Sequence, residues 1–141
     1  FAGRRPVSML RVIFPENTEE TALWEVRACL NEHRIETFHS ACGVEGLCLL
    51  LSSGAEADAL HATAEQLRER FPDAKVKLRE NLAVLLALCR STKDIPKLSA
   101  AIEASGAPVH HLVQTPPGAM FCVNDSQYEQ ALRAAYGAAF A

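Results

Sequence analysis

Laid over itself at an offset of 72 residues, the 141-residue chain matches its own second half without a gap. Val12 meets Val84, Leu23 meets Ile95, Val26 meets Leu98, Leu30 meets Ile102 and Leu51 meets Val123. Ala28, Ala59, Leu60 and Ala62 find Ala100, Ala131, Leu132 and Ala134, while His39 meets His111 and Gly46 meets Gly118. Apolar character and two special residues thus stay in phase, which predicts two copies of one folding unit. A unit of about 70 residues buries a limited core, so the copies are expected to lean on each other or on another chain.

The run Leu82–Cys89 (LAVLLALC) sits where the second copy begins, and its eight consecutive apolar residues leave no polar face. It reads as a buried strand, bounded by Arg79, Glu80 and Asn81 before it and by Arg90, Ser91 and Thr92 after it. It is far too short to span a bilayer.

Taken in order, Val7–Phe14 reads as a strand stopped by Pro15. Asn17 with Glu20 offers a helix start, and Leu23, Val26, Leu30 and His33 mark one face of a helix over 18–33. Ile35–Ser40 and Leu47–Leu51 form a hairpin around the glycines of 41–46. Ser53 with Glu56 caps a second helix with the stripe Leu60, Ala64, Leu67 and Phe71, ending at Pro72. Ala74–Leu78 alternates apolar residues with lysines, as an edge strand does. The second copy repeats the plan: strand Leu82–Cys89, helix Asp94–Ser105 on Ile95, Leu98 and Ile102 with Gly106 as its stop, and strands Val109–Val113 and Ala119–Val123 around Pro116, Pro117 and Gly118. Asn124 and Gln127 cap a last helix with the stripe Tyr128, Leu132, Ala135 and Ala139. The expected fold is α+β, two βαββαβ units at residues 1–80 and 81–141, with helices on one face of antiparallel sheets. A counterpart of Ala74–Leu78 would fall beyond Ala141, so the second unit's open edge needs a partner, either the segment Phe1–Leu10 or a strand of another subunit.

Composition narrows function by exclusion. The chain is 49% hydrophobic and 22% charged, a globular balance. Its net charge of −3 arises in residues 1–80, with 10 basic and 13 acidic side chains, and no basic face invites nucleic acid. Cys29, Cys42, Cys48, Cys89 and Cys122 are odd in number and lack close pairing, as reduced thiols used as small hydrophobes would be. With no signal peptide or membrane span, a cytoplasmic location is expected. Phe1 in place of methionine points to a piece of something longer. No G-x-x-x-x-G-K or G-x-G-x-x-G loop is present, which argues against phosphate chemistry and leaves no cofactor to expect.

Two units of this plan resemble tandem ACT domains, the ferredoxin-like modules that bind amino acids, and more narrowly the C-terminal regulatory region of aspartokinase. The passages ACLNEHRIETFHSACGVEGLCLLL, QLRERFPDAKVKLRENLAVLLALC and MFCVNDSQYEQALRAAYGAAF carry the likeness. The resemblance implies a module without catalytic residues of its own, regulating a kinase domain that precedes it, within a homodimer. It further implies that an end-product amino acid, lysine or threonine, binds at the module interface for feedback control.

Physically, the elbow between the first strand and helix suits such a zwitterion, because free amides at a helix N-terminus attract a carboxylate. The candidate effector residues are Glu16, Asn17, Thr18, Glu19, Thr21, Ala22 and Leu23 of the elbow, with Glu36, Thr37 and Phe38 of the facing strand. Glu16, Glu19 or Glu36 would hold the effector's ammonium. Two positions depart from the family pattern: Thr21 stands for the usual elbow glycine and Phe38 for an aspartate. The second elbow, Ser91, Thr92, Lys93 and Asp94, reads as structural.

Other residues support plainer roles. His33, His39, His110 and His111 show no metal-ligand spacing, and Cys42 with Cys48 has nothing beside it to make a redox pair. Trp24 lies next to the apolar stripe and is expected to cap the core edge rather than touch a partner. Arg68, Glu69, Arg70, Asp73, Lys75 and Lys77 form a solvated face. Two rival readings stand beside the sensor: a ligand-free assembly module, and a free-standing amino-acid sensor that docks on separate partners.

Overall fold

The structure is a computed structural model that describes residues 1–15, 21–42, 46–51, 57–89, 91–115 and 118–140. Its elements run β1 (Ala2–Ile13), α1 (Thr21–Glu32), β2 (Thr37–Cys42), β3 (Gly46–Leu51), α2 (Ala57–Arg70), β4 (Lys75–Leu88), α3 (Asp94–Ala104), β5 (His111–Thr115), β6 (Gly118–Asn124) and α4 (Tyr128–Ala139). The chain divides into two compact units, Val7–Glu80 and Phe1–Pro6 with Asn81–Ala141. The long strands β1 and β4 each give one stretch to each unit. Asn81 lies where β4 passes from one unit to the other, in the left-handed region at φ 56° that asparagine tolerates better than most residues.

In the unit Val7–Glu80 the strand order is β2-β3-β1-β4, with β1 and β2 both antiparallel to β3. Alternation along the strands sends Leu10, Val12, Leu47, Leu49, Leu51 and Val76 to the helical side. Val26, Cys29 and Leu30 of α1 meet them there, together with Leu60, Ala64 and Leu67 of α2. After α1, Arg34 takes a left-handed conformation (φ 56°) and the Ile35 amide donates back to the Leu30 carbonyl at 3.0 Å, a C-terminal cap normally built on glycine.

The second unit has the order β1-β4-β6-β5, and the start of the chain supplies its outermost strand segment. Its core joins Ala83, Leu85 and Ala87 of β4, Ala119, Phe121 and Val123 of β6, and Ile95, Leu98, Ile102, Ala131 and Ala135 of the helices. Phe121 is wholly buried; truncating such a ring in a core costs about 3–5 kcal/mol. Arg5 ties the N-terminal segment down: its Nε donates to Asp125 Oδ1 at 2.8 Å while its guanidinium lies 4.7 Å from the Tyr128 ring centre.

Several expectations are corrected. Ala74–Leu78 and Leu82–Cys89 are one continuous strand, Lys75–Leu88, and the run is not buried to its end, because Leu88 is 71% exposed. β1 starts at Ala2, five residues before the expected Val7. Asn124 and Gln127 do not cap α4 with their side chains; Asn124 donates to Gln127 Oε1 at 2.9 Å, and a single 3₁₀ turn, Asp125–Gln127, precedes the helix. The buried positions of α4 are Ala131 and Ala135, while Ala139 is exposed. Trp24 is 73% exposed and caps no core edge.

The ungapped repeat is corrected too. Ile13 stands opposite Gly46 and Leu88 opposite Gly118, so the first strands are related by 75 residues and the third strands by 72. The second copy is therefore three residues shorter than the first between its first and third strands. The expected caps at Asn17, Glu20, Ser53 and Glu56 and the hairpin tips at 43–45 and 116–117 lie outside the described residues.

Candidate functional site

The first elbow leaves β1 at Ile13. Phe14 packs edge-on against Phe71, with ring centres 5.4 Å apart at 82°, which fixes where the chain departs from the sheet. Glu16, Asn17, Thr18 and Glu19 lie outside the described residues. Thr21 is the exposed first residue of α1, Ala22 is buried beneath it, and Leu23 packs against the core. The start of α1 is thus anchored by its apolar side, with Thr21 exposed.

The expected facing strand is corrected: the elbow leaves β1 opposite Gly46, whereas Thr37 stands opposite Leu51 and so level with Ser8. This puts Glu36, Thr37 and Phe38 at the other end of the sheet, the first two exposed and Phe38 half-buried. Thr37 pairs with Leu51 and His39 with Leu50, so Phe38 is an extra residue in the ladder. The second unit has the same device: the His110 amide donates to the Cys122 carbonyl at 2.8 Å, although Cys122 already stands opposite His111. Such bulges re-aim side chains and recur beside functional sites. The residue-by-residue reading missed it, although the repeated pair His39 and His111 marks the spot in each copy. Arg27 holds β2 to α1 from below, its Nη2 donating to Ser40 Oγ at 2.9 Å.

The start of α1 and the bulged end of β2 thus belong to one unit, but its sheet holds them at opposite ends and does not bring them together. Neither of two cavities described here is lined by any of these residues. One, of about 490 Å³, lies between α1 and α2 and is bordered by Glu25, Glu32, Glu69 and Arg70, with Arg70 Nη2 paired to Glu25 Oε1 at 3.0 Å. Its floor includes Cys29, whose thiol is pushed up by burial and by the nearby Glu32 carboxylate. The other, of about 500 Å³, lies in the second unit beside the second elbow.

Cys48 and Cys89 are equally unsuited to nucleophilic work. Burial pushes Cys48 up against the opposing pull of Arg11, and burial with Asp94 does the same to Cys89. His33 bonds Gln66 Oε1 at 2.8 Å, and Gln66 in turn donates to Glu32, so this histidine links α1 to α2. Among the described residues no group of three or more His, Cys, Asp or Glu could hold a metal, and no helix is long and apolar enough to cross a membrane.

Strand order, bulges and helix placement define the class: each unit is a ferredoxin-like βαββαβ sandwich, and two in one chain make a tandem ACT-type fold. Solved structures with this fold include aspartate kinases and the regulatory subunits of such enzymes. Over 97% of its length the chain superposes on the regulatory subunit of aspartate kinase from Thermus flavus, with a TM-score of 0.78, 18% identity and 95% of that chain covered. The aspartate kinase of Clostridium acetobutylicum matches 97% of this chain at a TM-score of 0.82 and 14% identity, with 33% of that enzyme covered. Escherichia coli aspartokinase III, in complex with lysine and aspartate in its T-state, matches 96% at 0.69 and 16%, with 31% covered. The chain thus spans about a third of the length of these full enzymes and nearly all of the isolated regulatory subunit. At the level of sequence, no family model and no curated protein matches it.

Proposed function

We propose that the chain is the amino-acid-sensing regulatory region of an aspartate kinase, without catalytic residues of its own and acting on a kinase domain N-terminal to it within a homodimer. The observation that carries this reading is the match of 97% of its length to 95% of the regulatory subunit of aspartate kinase from Thermus flavus. On this reading lysine or threonine, as end product, binds at the first elbow. The effector's carboxylate faces the amides that begin α1, beside Thr21, Ala22 and Leu23, with Asn17 and Thr18 adjoining. Its ammonium is held by Glu16 or Glu19 of the same unit, or by Glu36 of a second copy in the homodimer whose Thr37 and Phe38 form the wall, since within one unit these three lie at the opposite end of the sheet. Control follows only if the effector binds two arrangements of the modules with different affinity, since equal affinity shifts nothing.

The test is backbone-amide mapping by NMR during titration with each amino acid. Lysine or threonine is expected to shift Thr21–Leu23 and Glu36–Phe38 selectively and saturably. Resonances that stay in place throughout would favour the ligand-free assembly module, the reading to which the departures at Thr21 and Phe38 point.

A further inference from the structure

We propose a second ligand site, in the unit formed by Phe1–Pro6 and Asn81–Ala141, for a zwitterion with a large apolar side chain, such as an aromatic or branched aliphatic amino acid. Six large apolar residues are exposed among the described residues, and four of them, Phe1, Leu88, Tyr136 and Phe140, border one cavity of about 500 Å³. That volume is within the usual range for small-molecule sites. Phe1, Tyr136 and Phe140 form a continuous row, with ring centres 5.2 and 4.9 Å apart. Apolar surface gathered around a hollow gains most from an occupant that removes it from water.

Charge specifies the occupant. Asp94 and Lys97 line the same cavity from the first turn of α3, three residues apart and so on one helical face. Among the described residues no ion pair engages either side chain. One carboxylate and one ammonium beside an aromatic wall complement a ligand that carries both charges and an apolar group. A fatty acid would leave Asp94 unanswered, and a simple amine would leave Lys97 so.

The row of rings is not dictated by the fold. At the offset of 72, Tyr136 and Phe140 correspond to Ala64 and Arg68, and Asp94 and Lys97 to Ala22 and Glu25. The site is separate from the first elbow and does not rest on the function proposed there.

Calorimetric titration of the 141-residue chain with phenylalanine, followed in parallel through the ring resonances of Tyr136 and Phe140, tests it. A saturable one-site heat with shifts of those rings is expected. Glycine gives none, while phenethylamine and 3-phenylpropionate, each lacking one charge, bind about tenfold more weakly. Lys97→Met, which keeps the stem and removes the ammonium, is expected to weaken phenylalanine about tenfold. The same variant should leave phenethylamine binding and the melting temperature unchanged. Absence of heat with both phenylalanine and leucine, or indifference to Lys97→Met, would overturn the proposal. Lysine or threonine binding at the first elbow reports through Thr21–Leu23 and Glu36–Phe38, so either site can fail without the other.

Discussion

Gly46 and Gly118 occupy corresponding points of the two copies, and sterics account for both. A Cβ on Gly46 would be driven into the Val12 carbonyl, and one on Gly118 into the Ala87 carbonyl, main-chain atoms that cannot turn aside. Gly46→Ala and Gly118→Ala are each expected to cost about 3 kcal/mol, read as a fall in the urea midpoint at unchanged slope. A loss below about 0.5 kcal/mol, the range of neutral surface changes, would contradict this strand spacing. The buried thiols act through pH. Folding raises Cys29, Cys48 and Cys89 above their ordinary value, so the native chain keeps protons that the unfolded chain releases. Stability should therefore hold below the ordinary thiol range, fall as pH climbs through it, and go on falling until the folded thiols ionise. Urea midpoints measured from neutral to alkaline pH check this. A variant with all three cysteines replaced by alanine should show a flatter alkaline fall, and an identical fall in both proteins would refute the assignment.

At the scale of elements, the N-terminal segment completes the second unit. Arg5→Ala removes a half-exposed ion pair and a ring contact and should cost about 1 kcal/mol. Deleting residues 1–6 should do more, uncovering the side of β4 that faces β1 and speeding amide exchange over Leu82–Leu88 while β3 keeps its protection. Unchanged exchange at Leu82–Leu88 would mean that the segment closes nothing. The helices were legible in sequence because Val26, Leu30, Leu60, Leu67, Leu98 and Ile102 recur at helical spacing on one apolar face only. The register of the first strands was not legible. At an offset of 72, Val12, which faces the helices, meets Val84, which points to the other side; at 75 it meets Ala87, which faces them. Because Leu82, Ala83, Val84 and Leu85 are all buried, the apolar pattern fits either choice, and a shift of three leaves no polar residue misplaced. The bulges were hidden for a related reason, since an extra residue in Phe38-His39 or His110-His111 breaks an alternation that such short strands barely establish. Thr21–Leu23 could be chosen from the elbow, but that Glu36–Phe38 lies at the other end of the sheet follows from strand register, and the cavity at Phe1, Leu88, Tyr136 and Phe140 joins parts of the chain that no local pattern connects.

For the molecule as a whole, the function proposed above assigns the duplicated sandwich, which has no phosphate-binding loop, the part of contributing binding energy that distinguishes two states rather than chemistry. That role requires an effector bound by this chain itself, and calorimetric titration of the 141-residue protein with lysine and with threonine tests it most directly. A saturable heat with one of them is predicted, weakened about tenfold by Glu36→Gln and accompanied by a rise in melting temperature that grows with ligand concentration. No heat and no change in melting temperature with either amino acid would contradict it.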